Sequence, residues 1–130
     1  KDKFGKSALV YCVNKDQIEA TEFLLVHQPE VDSLDKFEWT PLMWAVKKDY
    51  IEIIKLLVRY KANINHKDDE GTPIIQYAVE NESVDVVKFL IDKGVDINVT
   101  DQYGLSPLVY ALKTRNKAIV DLIRSAGGEY

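Results

Sequence analysis

The stretch Trp39-Thr40-Pro41-Leu42-Met43-Trp44-Ala45 decides the fold, because its pattern recurs at a fixed distance along the chain. A threonine side chain can cap the free N–H groups at a helix start, and proline suits the first helical turn because its missing N–H costs nothing there. Leu42 and Ala45 then fall on one helical face. Gly104-Leu105-Ser106-Pro107-Leu108 is a looser copy of the same pattern. The stretch therefore predicts a short helix that opens each unit of a repeat.

The repeat has a period of 33 residues and needs no insertion to align. Five sets of residues keep this step: Cys12, Ala45, Ala78 and Ala111; Leu9, Leu42, Ile75 and Leu108; Leu24, Leu57, Leu90 and Ile123; Asp2, Asp35, Asp68 and Asp101; and Gly5, Gly71 and Gly104, with Glu38 in the missing place. A fixed period of this length is typical of a solenoid of stacked units. We divide the chain into repeats 2–34, 35–67, 68–100 and 101–130. Each is predicted to contain a turn, a short helix, a longer helix and a hairpin loop. The expected all-α fold has eight helices in four antiparallel pairs.

These motifs resemble those of the ankyrin repeat family. Thr40-Pro41-Leu42-Met43-Trp44-Ala45 is similar to the family signature T-P-L-H-x-A, and Gly94-Val95-Asp96-Ile97-Asn98 is similar to its hairpin G-A-D-x-N. The resemblance covers the whole chain and implies a solenoid that binds other proteins and catalyses nothing. Asn65 and Asn98 also resemble a hairpin asparagine that is hydroxylated in some animal members, and the alternative is an asparagine that only bonds its own turn.

Several positions depart from the family pattern. The histidine position of the signature holds Val10, Met43, Gln76 and Val109. Thr72-Pro73 lies one residue early, which predicts that this helix starts sooner with Thr72 as its cap. Glu38 replaces a turn glycine, and a residue with a side chain at positive φ costs roughly 1–2 kcal/mol. The hairpin that follows His27 lacks the glycine stop.

The two ends of the stack differ in polarity. Lys117 and Arg124 replace apolar residues of the earlier repeats, so the last repeat is predicted to be a C-terminal cap with a polar outer face. The first repeat keeps Val13, Ile18 and Leu25 at its stacking positions. We therefore expect further repeats before residue 1 in the parent protein.

Composition argues against several classes of function. The formal net charge is −4 over 130 residues, which disfavours nucleic acid and anionic membrane as partners. No apolar run approaches the roughly 18 residues that span a bilayer. The single cysteine, Cys12, favours a reducing compartment, so we expect a cytoplasmic protein, with the nucleus as an alternative. Cys12 itself is interpreted as an inert, buried core thiol.

The sequence contains no recognisable catalytic, cofactor or metal motif. Zinc-protease, Walker and dinucleotide-binding patterns are all missing, and His27 and His66 lie in different repeats without a second ligand at metal spacing. We therefore predict a non-enzyme that has no catalytic, cofactor-binding or metal site and no small-molecule substrate.

The resemblance implies a binding face made of the hairpin tips and the exposed side of the first helices. The residues carried over to that face include Phe4, Phe37, Trp39, Lys47, Lys48 and Tyr103, and Trp44 and Tyr77 are added as candidate contacts from the aromatic set described below. Trp39 precedes the Thr40 cap and is expected to project from the turn, beside Lys47 and Lys48 at the far end of the same helix. The alternative is that Trp39, Phe4, Phe37 and Tyr103 only pack on neighbouring turns.

A further set with the same period is entirely aromatic: Tyr11, Trp44, Tyr77 and Tyr110. Two interpretations remain open. The set is either a stacking spine whose polar tips reach solvent or an aromatic strip on the concave floor.

Charge is unevenly divided along the chain. Residues 1–67 carry a net charge of +1 and residues 68–130 a net charge of −5. The leading hypothesis is a protein-interaction module that binds a partner with an acidic, partly apolar segment. The alternative is a regulatory segment that docks in cis on an enzyme or channel in the same parent chain.

Overall fold

The computed structural model describes residues 8–27 and 30–129, and eight helices lie within them. In chain order the helices are α1 (Ala8–Asn14), α2 (Ile18–His27), α3 (Pro41–Lys48), α4 (Ile51–Arg59), α5 (Ile74–Glu80), α6 (Val84–Asp92), α7 (Pro107–Thr114) and α8 (Lys117–Ser125). The first helix of each pair starts 33 residues after the previous first helix, and the second helices keep the same step. The period of the sequence is therefore the period of the fold, and the predicted all-α architecture is confirmed.

The stack has an inner and an outer layer. The inner helices are α1, α3, α5 and α7, and each packs against its own outer partner, α2, α4, α6 or α8. Neighbouring inner helices approach one another more closely than neighbouring outer helices do. The stack therefore curves toward the inner helices, which form its concave side.

The helix starts show one confirmed prediction and one that was wrong. Thr40 caps α3, since its Oγ1 accepts a 3.2 Å hydrogen bond from the N–H of Met43. Helix α5 begins at Ile74, in register with the other inner helices, with Pro73 and not Thr72 at the cap position. Thr72 instead belongs to the preceding turn, because its N–H donates to Asp68 Oδ1 at 3.0 Å. Stacking against the neighbouring inner helices sets the start of this helix, and the displaced Thr-Pro pair does not.

The small residues between the helices are buried, with one exception. Ala45, Ala78 and Ala111 have no exposed surface, as predicted. Cys12, in the same place of the first repeat, is only half-buried, so its predicted full burial was wrong. Helices α3, α5 and α7 each pack on the inner helix of the preceding pair, whereas the described residues contain no helix before α1. Burial still raises the pKa of the Cys12 thiol.

Neighbouring hairpins are joined by side chains that also follow the 33-residue period. The Oδ1 atoms of Asp32, Asn65 and Asn98 accept hydrogen bonds from the backbone N–H groups of Asn63, Asp96 and Glu129. The distances are 3.0, 2.8 and 2.8 Å. Asn65 and Asn98 therefore bond the next hairpin and not only their own turn. Hydroxylation of these residues stays an untested hypothesis beside the structural alternative.

Lys117 and Arg124 lie exposed on α8. The exact boundaries of the four repeats and the capping role of the last one stay predictions. The predicted irregular hairpin after His27 includes Gln28 and Pro29, which lie outside the described residues.

Candidate functional site

Three of the predicted contact residues form one group on the inner side of the stack. Trp39 lies with its ring centroid 4.6 Å from that of Trp44 and 5.0 Å from that of Tyr77, and both ring pairs are tilted by 51°. We call these three residues the aromatic cluster. All three are half-buried. The expectation that Trp39 projects freely from its turn was therefore wrong: the ring gains apolar and aromatic contact by lying between two inner helices.

In the last three repeats one aspartate ties the hairpin turn to the inner helix. Asp35 Oδ1 accepts hydrogen bonds from the N–H groups of Phe37 and Trp39, at 2.9 and 3.0 Å. Asp35 Oδ2 accepts a 2.9 Å hydrogen bond from Trp44 Nε1, so a single carboxylate holds both the turn and the helix. Asp68 binds Tyr77, and Asp101 binds Tyr110, in the same way. These three aspartates, which are all buried, position aromatic rings of the inner helices.

The pairing of aspartate and aromatic residues is visible in the sequence, but the pattern alone did not predict their hydrogen bonds. The aspartate set and the aromatic set share the 33-residue period, and the two are separated by nine residues in every repeat. The polar tips of Trp44, Tyr77 and Tyr110 were expected to reach solvent if the set is a spine, but in these three repeats they bind the aspartates. Tyr11, in the first repeat, is 56% exposed.

The aspartate contacts change the titration of the tyrosines. Burial and the hydrogen bond to Asp68 raise the pKa of Tyr77 well above its usual value. Burial and the bond to Asp101 raise the pKa of Tyr110 to about 12. For Asp101 itself burial acts to raise the pKa, but hydrogen bonds from Tyr110 and the N–H groups of Leu105 and Tyr103 outweigh it and lower the pKa. Both tyrosine hydroxyls are therefore protonated donors at neutral pH. The carboxylate of Asp101, which accepts from Tyr110, is ionised.

Lysines lie over the aromatic rings of this face. Lys47 Nζ is 5.4 Å from the ring centroid of Tyr77, in the next repeat, and Lys113 Nζ is 5.1 Å from that of Tyr110. Both distances fall in the range of cation–π attraction. Lys48, next to Lys47, is exposed, and neither lysine forms an ion pair with a carboxylate in the part of the chain described. The structure thus brings Trp39, Trp44, Tyr77 and Lys47 together, with Lys48 beside them.

The remaining predicted contact residues do not join this group. Phe37 and Tyr103 lie at hairpin tips and are 48% and 73% exposed. Among residues 8–27 and 30–129, no ring contact links either of them to the aromatic cluster. Lys36 Nζ lies 5.1 Å from the Phe37 ring centroid. Phe4 lies outside the described residues.

The position of Lys47 is fixed from the next repeat. Asn81, at the end of α5, donates through Nδ2 to the carbonyl oxygens of Val46 and Lys47, at 3.0 and 3.1 Å. These carbonyls belong to the last turn of α3, where C=O groups lack partners within the helix, although that of Val46 also accepts from the N–H of Asp49. The amide therefore satisfies the end of α3 and holds the backbone of the lysine that covers Tyr77.

The comparison with protein families agrees with this architecture. A family model described as "Ankyrin repeats (3 copies)" matches residues 1–68 and 60–130. The chain belongs to the ankyrin repeat family. Ankyrin repeats are generally protein–protein interaction modules and are typically non-catalytic. No curated protein matches the chain.

The histidine position of the ankyrin signature is apolar or amide here, and three of its four residues are buried, while Val109 is half-buried. Val10 and Met43 have no exposed surface, and Gln76 is 7% exposed. Gln76 Nε2 donates to Glu80 Oε1 at 2.8 Å, while its own Oε1 is buried without a partner. This ankyrin domain therefore uses the aspartate-to-ring bonds, and not a signature histidine, to tie hairpin to helix.

The two histidines have structural partners. His66 Nε2 donates to the carbonyl oxygen of Glu38 at 2.7 Å, and the His27 ring stacks on Phe23 at a centroid distance of 4.3 Å. Among the described residues, no group of three or more His, Cys, Asp or Glu side chains could hold a metal ion. None of the described helices is long and apolar enough to cross a membrane.

Proposed function

We propose that the inner face centred on the aromatic cluster, Lys47 and Lys48 binds an acidic, partly apolar segment of a partner protein. The observation that supports this most is the combination of half-buried rings with ammonium groups that have no acidic partner in the described chain. The rings offer apolar area and the lysines offer charge pairing. Aromatic area of this kind dominates binding energy at protein interfaces, while complementary charge speeds association and selects the partner.

The geometry of the cluster favours binding because its rings are already ordered. Asp35 and Asp68 fix Trp44 and Tyr77 by hydrogen bonds, and Trp39 is fixed by packing between them. A partner that docks here does not have to immobilise these side chains, so the entropic cost of binding is reduced. The exposed Phe37 and Tyr103 lie at hairpin tips, where they would flank a bound segment.

The lysines define the chemistry of the segment. Lys47 lies over Tyr77 and Lys48 extends from the same helix end, so a carboxylate of the partner could pair with both while an apolar side chain covers the rings. Complementary charge mainly speeds association and selects the partner. Beyond Tyr77 the surface becomes acidic, with Glu80 exposed at the end of α5. A segment with one acidic and one basic part would therefore bind in a single orientation.

The test is selection from a random peptide library with the folded chain as bait. We expect enrichment of peptides that combine Asp or Glu with aromatic or aliphatic residues. Lys47→Glu with Lys48→Glu should abolish that enrichment and slow the association of a selected peptide. The matched control is Lys88→Glu with Lys117→Glu, which changes the net charge equally at exposed positions of outer helices. Equal binding by both double variants would place the binding surface elsewhere.

The contribution of Trp39 is measured on a selected peptide. Trp39→Ala should weaken binding by about 2 kcal/mol, the usual cost of truncating a central aromatic. Because the ring packs on Trp44 and Tyr77, the variant also loses stability, so binding is measured at a temperature where both proteins are folded. Unchanged affinity would show that Trp39 only packs.

A further inference from the structure

A basic pocket opens on the opposite side of the molecule, between outer helices α4 and α6. It has a volume of about 510 Å³ and is lined by Lys55, Val58, Arg59, Lys61, Phe89 and Lys93. We call it the basic pocket. The backbones of α4 and α6 approach one another less closely than those of α2 and α4 or of α6 and α8, which leaves room between them. The volume is within the range of small-molecule sites.

The lining places cations around an apolar floor. Val58 and Phe89 are half-buried against the core, while the four basic side chains are exposed around them. Lys55 and Arg59 are one turn apart on α4, and Lys93 Nζ lies 5.6 Å from the Phe89 ring centroid. None of the lining residues is acidic, and none of the four cations forms an ion pair with a described carboxylate. Four basic residues without an ion pair thus line one pocket in a protein of net charge −4.

The cations are peculiar to this interface and are not a requirement of the repeat. The equivalent positions one period later are Lys88, Asp92, Gly94 and Ala126, which have no net charge. The equivalent positions one period earlier are Glu22, Val26, Gln28 and Tyr60, with one negative charge. The outer helices therefore stack at the other interfaces with at most one basic residue among these four positions.

Helix ends account for only part of the positive charge. Arg59 is in the last turn of α4 and Lys93 caps α6, where basic residues oppose a partial negative charge of about half a unit per helix. The partial negative charges of two helix ends are too small to balance the four positive charges. The equivalent α2 and α6 ends carry Val26 and Asp92, so the repeat does not need a cation there.

Lys61 is held in a backbone conformation that favours glycine. Its φ is +73°, and the equivalent positions of the next two repeats are Gly94 and Gly127, with φ of +88° and +93°. A lysine in this conformation is strained, and Lys61 is one of six described non-glycine residues with a positive φ. The chain keeps a cation at the pocket where glycine would be the more stable choice.

We infer that the basic pocket binds a small, multiply phosphorylated group. Several phosphates on one compact ligand match four convergent cations, and the guanidinium of Arg59 can bind a phosphate in a bidentate manner. A sugar or polyol ring between the phosphates would pack on Val58 and Phe89. This site is separate from the inner face, so its ligand and the partner segment can bind together. The ligand is either a free phosphorylated polyol or the headgroup of a phosphorylated lipid, and both present the same chemistry.

The test uses inositol hexakisphosphate as the soluble probe and isothermal titration calorimetry on the whole chain. We expect one site per chain. Arg59→Gln should weaken it roughly tenfold, the usual effect of losing a charge-assisted bidentate contact. The matched control is Lys88→Gln, which removes the same charge from the position equivalent to Lys55 in the next repeat. Equal weakening by both variants would show general electrostatic attraction and would overturn the proposal, as would the absence of saturable binding to any probe.

Lys61→Gly separates binding from folding. Because glycine accepts this φ without strain, the variant should melt at or above the wild-type temperature and yet bind the probe more weakly. If Lys61→Gly and Lys55→Gln each bind the probe as tightly as the wild type, the proposal is also overturned.

A second arm distinguishes the two sources of the phosphates. Phosphatidylcholine vesicles that contain phosphatidylinositol bisphosphate are compared with vesicles in which phosphatidylserine supplies the same total negative charge. Co-sedimentation only with the former, lost in Arg59→Gln, assigns the pocket to a lipid headgroup. Binding of inositol hexakisphosphate without vesicle binding assigns it to a free polyol phosphate.

Discussion

The Asp68 carboxylate accepts a 2.5 Å hydrogen bond from the Tyr77 hydroxyl, nine residues further along the chain. The other oxygen of the same carboxylate accepts hydrogen bonds from the N–H groups of Glu70 and Thr72, at 2.9 and 3.0 Å. One buried side chain thus organises a hairpin turn and orients a ring on the inner side of the stack. The same arrangement at Asp35 and Asp101 makes it the structural unit of this stack.

Removing the Asp68 carboxylate should destabilise the protein more than removing the Tyr77 hydroxyl. Asp68→Ala leaves three donors without their acceptor, and we expect the free energy of unfolding to fall by about 2–4 kcal/mol. Tyr77→Phe removes one donor and should cost about 1 kcal/mol. Urea denaturation measures both. The exposed neighbour Asp69→Ala is the control and should stay within about 0.5 kcal/mol of wild type.

Alkaline pH should weaken the fold through Tyr110. Its folded pKa is about 12, against the usual value of about 10, so the unfolded chain loses this proton first as the pH rises. The contribution is complete below about pH 10 and is lost as the pH rises toward 12, so the free energy of unfolding falls across that window. Tyr110→Phe should show a shallower decline in the same window. Identical slopes in urea denaturation series at increasing pH would contradict the assignment.

A larger side chain at Ala78 should overpack the stack. Ala78 is fully buried between inner helices, and Ala78→Leu has no space for the extra carbons. We expect a loss of about 1–3 kcal/mol in the free energy of unfolding. Ala118→Leu, at an exposed position of α8, is the matched control and should have little effect. Equal melting temperatures for the two variants would show that the core is not tightly packed.

Relief of backbone strain at Glu38 should stabilise the chain. Glu38 has a φ of +58°, while Gly71 and Gly104 occupy the equivalent positions with φ of +81° and +75°. Glu38→Gly should raise the free energy of unfolding by about 1 kcal/mol, because glycine avoids the steric penalty. The His66 ring binds the backbone carbonyl of Glu38 and not its side chain, so this hydrogen bond remains in the variant. The reverse change, Gly71→Ala, should destabilise, since the new Cβ is strained and lies 3.4 Å from Gln102 Cβ. A destabilised Glu38→Gly variant would mean that the side chain has a role beyond the turn.

The sequence by itself determined the architecture, because a period of 33 residues forces identical units to stack. Ala45, Ala78 and Ala111 were recognisable as close-packing positions, and Thr40 as a helix cap, since both depend on local geometry that a short motif specifies. The predicted helix start near Thr72 was wrong because local geometry did not decide it. A local Thr-Pro pair favoured one start, while packing of α5 against α3 and α7 imposed another.

Only the tertiary structure decided which side chains meet. Trp39 was expected to project, but the stacking of one repeat on the next places Tyr77 beside it, and that contact joins residues 38 positions apart. The basic pocket likewise combines Arg59 of one repeat with Lys93 of the next, at a place where two outer helices spread apart. A periodic pattern specifies the contacts that every repeat shares. Contacts made by residues that differ from repeat to repeat depend on the separation of the helices in space, which no single motif encodes.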